Sequence, residues 1–258
     1  MFDKRPTERF TSRVENYVRY RPDYPAAVMT GLRQETGLDP SWTIADIGSG
    51  PGNFTRLLLD GGHTVVGVEP NDAMREAGNL LLGEFPGFSS VNGTAEATTL
   101  PTGSIDLVTA GQAFHWFDPA PTRTEFQRIL KAPGWVALVW NRREEENSPF
   151  LDDHHAMPRQ HAKEFDQVSV RDESAEDGMS TLFGQCGFRK FTLPHAQRLT
   201  AASYWGRLLS SSYTPLPGEP GHEEIKALSS EIFRKYATDG AIEFPYETQI
   251  FLGTVLGD

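Results

Sequence analysis

At 258 residues, with 38% hydrophobic and 23% charged side chains, the chain has enough apolar material for one α/β domain with a buried core. A formal net charge of -11 argues against a general affinity for nucleic-acid phosphates, and no apolar run reaches bilayer length. The lone Cys186 rules out an intrachain disulfide, and the opening Met-Phe-Asp-Lys-Arg-Pro carries no apolar signal core; both point to a cytoplasmic setting, with neither nucleic acid nor membrane as partner.

Strands and helices alternate along the first half. Pro25 to about Glu35 reads as a helix, with Pro25 in its first turn and Gly37 just past its end. A strand over 42–47 follows, then a helix ending at Gly61-Gly62 and a second strand over 64–69. Asp72 to Leu82 is helical and Ser89–Val91 a short strand. Ile105–Ala110 is the fourth strand. Thr122-Arg-Thr-Glu125 has the form of a capping box opening a helix that Pro133-Gly134 closes, and Trp135–Trp140 is the fifth strand.

The second half is less regular. Arg142–Asp177 is polar, with an acidic run at Glu144–Glu146, and reads as a loop or helical insertion. Leu182–Phe188 is a short helix stopped by Gly187, Phe191–Thr200 a sixth strand, and Ala201–Ser210 and Glu223–Tyr236 are helices. Ile242, Phe244, Tyr246, Ile250 and Leu252 share one face at period two, which predicts a last antiparallel strand at the sheet edge. The pattern specifies an α/β fold with a doubly wound, mostly parallel sheet and helices on both faces. One domain spans 1–258: an N-terminal segment over 1–24, a regular strand–helix core over 25–141, and over 142–258 the rest of the sheet with helical insertions.

The sharpest chemical signal is Asp46-Ile47-Gly48-Ser49-Gly50-Pro51-Gly52, answered by Glu69 at the end of the next apolar run. Glycines let a backbone approach a ligand closely. A carboxylate at the second strand tip can accept both hydroxyl protons of an adenosine ribose. A dinucleotide fingerprint needs Gly or Ala at position 53, and Asn53 stands there. Asp46 would also repel a pyrophosphate, whereas a sulfonium ligand with an ammonium group tolerates it.

The Gly-x-Gly-x-Gly spacing with its upstream acid resembles motif I of the class I S-adenosylmethionine (SAM) dependent methyltransferases. That resemblance implies a Rossmann-like seven-stranded sheet with a C-terminal antiparallel strand, SAM as cofactor and S-adenosylhomocysteine (SAH) as product. It implies that Asp46, Gly48, Ser49, Gly50 and Gly52 face the amino-acid end of SAM, that Glu69 holds the ribose, and that Pro70, which opens the family's post-I segment, also borders the cofactor. Met74 would lie against the adenine, or serve as core on its helix. Asn92-Gly-Thr94-Ala95-Glu96 is similar to the family's motif II, so Thr94, Ala95 and Glu96 would hold the adenine edge.

Gln112-Ala-Phe-His115-Trp116-Phe at the fourth strand's end resembles a run in a small-molecule subgroup similar to trans-aconitate methyltransferases. There Gln112 would border the cofactor, Trp116 the substrate, and His115 would act as general base. Tyr17-Val-Arg-Tyr-Arg21-Pro-Asp-Tyr-Pro25 is similar to the same subgroup's N-terminal signature, with Tyr17 and Arg21 as lid residues meeting the substrate. Arg21 and the pair Arg142-Arg143 favour an acidic acceptor. The expected activity is methyl transfer to a small molecule by a monomer or homodimer; the alternatives are a non-catalytic SAM-binding module and a nicotinamide-dependent oxidoreductase. Asp152-Asp153-His154-His155, with His161 nearby, has metal-ligand residue types, but adjacent loop residues rarely converge on one ion, and no metal is expected.

Overall fold

The computed structural model describes residues 18–143, 148–161, 178–211 and 214–256. In chain order the elements are α1 (Ala27–Thr36), β1 (Thr43–Ile47), α2 (Asn53–Asp60), β2 (Thr64–Val68), α3 (Asp72–Leu82), β3 (Phe88–Val91), β4 (Ile105–Gly111), α4 (Pro119–Ile129), β5 (Leu130–Arg143), α5 (Pro149–His161), β6 (Phe188–Leu199), α6 (Ala201–Leu209), α7 (His222–Tyr236) and β7 (Ile242–Thr254).

The apolar, β-branched character of β1, β2 and β4 suits strands buried on both faces, as a parallel sheet requires. The strand order is β3-β2-β1-β4-β5-β7-β6. The first five strands are parallel, and β7 runs antiparallel to both β5 and β6. The chain leaves β1 toward β2 on one side and returns to β4 on the other. That reversal opens a crevice at the carboxyl ends of β1 and β4, where ligands bind in sheets of this kind.

Alternating side chains build a core on each face. Ile47, Val108, Phe126, Leu138, Trp140 and Phe251 pack on one. Leu32, Ile44, Leu58, Leu107, Val139 and Ile250 pack on the other. A third cluster joins α5, α6 and α7 to the start of β7 through Phe150, Tyr204, Leu208, Ile225 and Phe244. Among the described residues no helix is long and apolar enough to cross a membrane.

Three expectations need correction. β7 is not at the sheet edge: it lies between β5 and β6. Its first residues alternate, but Thr248–Gly253 are all buried, because that half of the strand is covered on both faces. β6 is the edge instead, and its Arg189, Lys190, Pro194 and Arg198 are the residue types that discourage further pairing. Thr122–Glu125 is not a capping box. Asp118 and Pro119 start α4 one turn earlier, because a proline in the first turn is preset for a helix. Glu125 instead accepts hydrogen bonds from the Thr98 backbone N–H and hydroxyl, and from Arg128. α4 ends at Ile129, and Pro133-Gly134 lie within β5.

The helical stretch 178–183 passes into a tight turn at Gly184–Cys186, and β6 starts at Phe188, three residues ahead of the reading. Within 142–177 the described part contains the end of β5 and helix α5; the acidic run Glu144–Glu146 lies outside the described residues.

Candidate active site

The glycine loop leaves β1 at Ile47 and is tied at once to β2: the N–H groups of Gly48 and Ser49 both donate to the Val68 carbonyl, at 2.8 and 3.2 Å. Ser49 packs its side chain against Gly67 of β2. Gly52 has φ +96° and is the N-cap of α2; a Cβ there would stand 2.3 Å from Leu82 Cδ1. Gly50 has φ +55°, and a Cβ there would meet nothing within 4 Å. Positive φ favours glycine at both positions; at Gly52 a Cβ would also press on Leu82, whereas Gly50 presents bare backbone to open space at the strand tips.

Glu69 follows β2 directly and is 8% exposed. Its Oε2 accepts from Gly50 N–H at 2.9 Å and its Oε1 from Asn71 N–H at 2.8 Å. Asn71 in turn caps α3, its Oδ1 accepting from Met74 N–H. Arg75 donates to the Glu69 carbonyl and pairs with Asp72. Burial raises the Glu69 carboxyl above its ordinary range, and the two backbone N–H groups and Arg75 oppose that shift. Each carboxylate oxygen has two acceptor sites and spends one here, so the group retains capacity for a diol. Pro70 is half-buried beside it, and Met74 is buried on the inner face of α3.

Asp46 is 1% exposed, so its carboxylate does not line the open side of the loop. It stands beneath, with Oδ2 accepting from Thr55 Oγ1 at 2.6 Å and Oδ1 from Thr109 Oγ1 at 3.0 Å. Burial pushes its pKa up to about 6 against the pull of both threonines. Asp46 thus ties β1 to α2 and β4, and its side chain supports the loop.

At the end of β3, Thr94 and Ala97 exchange backbone hydrogen bonds, which leaves Ala95 and Glu96 as the middle of a turn. Thr94 is exposed and Ala95 is buried in the core. Glu96 Oε1 accepts from Asp118 N–H and so links this turn to the start of α4. After β4, Gln112 adopts φ +56° and donates from Nε2 to the Asn141 carbonyl at 3.0 Å. His115 and Trp116 occupy the single turn Phe114–Trp116, half-buried, with ring centroids 4.9 Å apart.

The segment from residue 18 to α1 crosses the carboxyl ends of β5 and β6. Asn141 Nδ2 donates to the Asp23 carbonyl, Gln197 Nε2 to the Tyr20 carbonyl, and Arg21 Nη2 to the Ser210 carbonyl. Tyr24 lies against Gly111 and packs edge-on to Phe54 at 4.7 Å. Arg21 therefore sits at the carbonyl end of α6, a favourable place for a cation. Tyr17 lies outside the described residues.

A family model described as a methyltransferase domain matches residues 45–138. A methyltransferase-like protein of Schizosaccharomyces pombe is 29% identical over 94% of this chain and 93% of its own length. Residues 45–138 thus resemble a methyltransferase domain, and the similarity to methyltransferase-like sequence runs through most of the chain.

An uncharacterised methyltransferase of Mycobacterium tuberculosis is 36% identical over 53% of this chain and 53% of its own length; a second one of S. pombe is 34% identical over 52% and 53%. The chain thus spans about half the length of the first curated relatives that it matches. A solved candidate type II methyltransferase from Anaeromyxobacter dehalogenans superposes with a TM-score of 0.63 at 23% identity, over 93% of this chain and 100% of that one. A candidate methyltransferase from an antibiotic biosynthesis pathway of Anabaena variabilis gives a TM-score of 0.59 at 19% identity, over 91% and 98%. These two likenesses concern the fold.

The residues present fit SAM. The space beside Gly50 and the remaining acceptor capacity of Glu69 lie together at the tips of β1 and β2. Several residues that build this candidate site carried no recognisable signal. Thr55 and Thr109 look like ordinary helix and strand residues, and Asn141 merely follows the apolar run Trp135–Trp140. Among the described residues no group of three or more His, Cys, Asp or Glu is arranged to hold a metal. His154 Nδ1 lies 2.9 Å from the Tyr204 hydroxyl, and Asp153 accepts from Lys235 and Tyr236.

Proposed function

We propose that this protein transfers the methyl group of SAM to a small-molecule acceptor. The observation that carries the reading is Glu69, whose carboxylate is fixed between the N–H groups of Gly50 and Asn71 with acceptor capacity to spare. In this reading Glu69 holds the ribose hydroxyls, and the backbone of Gly48–Gly52 borders the methionyl end. The turn Thr94–Glu96, with Met74, flanks the adenine, and Gln112 borders the reacting end. Bound SAM supplies an electrophilic methyl on a sulfonium centre.

The protein's task is then orientation, which can supply roughly 7–11 kcal/mol of a barrier. His115, at the carboxyl end of β4, would take a proton from a hydroxyl or amine acceptor, a contribution of about 100- to 10,000-fold; a carboxylate acceptor needs no base. Trp116 would border that acceptor. Residues 18–25, strapped across β5 and β6, would keep water out. The finer placement beside trans-aconitate methyltransferases rests on the sequence runs alone. The test is SAH release from SAM across a panel of small acids, alcohols and amines. Acceptor-dependent SAH that is abolished in Glu69→Ala supports the proposal, and SAM binding with no turnover on any acceptor favours a binding module.

A further inference from the structure

Arg207, on α6, is 4% exposed, yet among the described residues no carboxylate pairs with it. Its Nε donates to the Tyr246 hydroxyl at 3.2 Å, and its Nη1 to Ser211 Oγ at 3.2 Å and Ser210 Oγ at 3.5 Å. Nη2 makes no hydrogen bond within the described residues. Arginine is rarely buried without an anion, because neutral hydroxyls replace lost hydration poorly. Its planar fork matches a carboxylate.

Other polar groups with unused hydrogen-bonding capacity surround it. His195 stands opposite Tyr246 across the β6–β7 ladder, and among the described residues its buried Nε2 makes no hydrogen bond; neither does Gln197 Oε1, two residues on and facing the same side. Arg21 reaches the same place from above, through the Ser210 carbonyl. Tyr246 pairs with Arg143 at the carboxyl end of β5. Two residues along, Thr248 donates to Asn141 Oδ1, and the Asn141 carbonyl accepts from Gln112. The cluster therefore lies one side-chain position along the sheet from the network that reaches the candidate methyl-transfer site.

We propose that Arg207 binds a carboxylate of the methyl acceptor at this cluster beneath residues 20–23. The inference rests on the methyltransferase reading and gives its acceptor a chemical class. From Glu69, beyond β2, to the cluster beside β7 is four strand spacings of about 4.8 Å, roughly 19 Å. The short methionyl chain of a cofactor held at Glu69 does not cross that distance, so the carboxylate belongs to the acceptor. In a chain of net charge -11 a buried cation also offsets the repulsion an acidic acceptor meets on entry.

The test is calorimetric titration of malonate, succinate and citrate into SAH-saturated protein, with malonamide as the neutral control. Wild type is expected to bind at least one acid and not the amide. Arg207→Gln is expected to weaken that acid about tenfold or more, with SAH affinity held within about twofold, which also shows that the variant is folded. Should Arg207→Gln fail to fold, Tyr246→Phe, which removes only the hydroxyl that holds Nε, is expected to weaken the acid while SAH still binds. Failure of every acid to bind SAH-loaded wild type, or binding unchanged by the substitution, would overturn the proposal. So would a comparable loss of SAH affinity, which would assign Arg207 to the cofactor's own carboxylate. Failure of wild type to bind SAH would instead count against the methyltransferase reading.

Discussion

Asp46→Asn should make the protein more stable at neutral pH and not below pH 4. Asp46 is buried, and its folded-state pKa is pushed from 3.8 up to about 6. Between those values the folded chain binds a proton that the unfolded chain has released, so stability falls as pH rises through the window. At ~1.4 kcal/mol per decade the loss reaches about 3 kcal/mol above pH 6. An amide at position 46 has the same shape and no charge to desolvate. Thr109 Oγ1 lies 3.5 Å from the Ala45 carbonyl and can turn its proton there when it has to accept from the amide. The assay is urea unfolding of both proteins from pH 3.5 to 7.5. Plotted as variant minus wild type, the stability difference should climb by about 3 kcal/mol between pH 4 and 6.5. A difference that stays flat across that range would mean that Asp46 ionises normally and that burial is not what governs it.

Glu69→Ala should weaken SAH binding by about 1.5–3 kcal/mol, the worth of hydrogen bonds to a charged group, read by calorimetry. Gly50→Ala should cost the fold only about 1 kcal/mol for its positive φ yet lower SAH affinity, because the new methyl enters the space at the strand tips. Gly52→Ala, which drives a Cβ toward Leu82, should cost about 1–3 kcal/mol in urea melts. Glu125 is held down to about pKa 2, first by Arg128 and then by Thr98. Its contribution is present above pH 4.5 and is lost as pH falls toward 2. Glu125→Gln should therefore cost about 2 kcal/mol at pH 7, discounted for the partly open Arg128, and almost nothing near pH 2.

The core of the fold was legible because its signals are local. β1 and β2 are short apolar runs, and Gly37 ends α1 in the left-handed conformation that glycine adopts without strain. The place of β7 was not legible: half-burial and full burial both begin with Ile242, Phe244 and Tyr246 on one face, and only the neighbours decide the rest. The Thr122–Glu125 spacing misled because Pro119 sets the helix start first, which releases Glu125 to bridge Thr98 and Arg128. In the site, Glu69 and the glycine loop stood out through spacing. The support beneath them comes from Thr55 and Thr109, residues 9 and 63 positions from Asp46, so the second contact exists only once β4 pairs with β1. Arg207 was invisible for the same reason: an arginine in an amphipathic helix looks solvated until β7 is folded beneath it.

Titration of the purified protein with SAM, SAH and NADH in parallel bears most directly on the central claim. Micromolar binding of SAM and SAH, heat-silent NADH, and loss of SAH affinity in Glu69→Ala are the predicted results. Binding of NADH without SAH, or SAH binding indifferent to Glu69, would contradict the account.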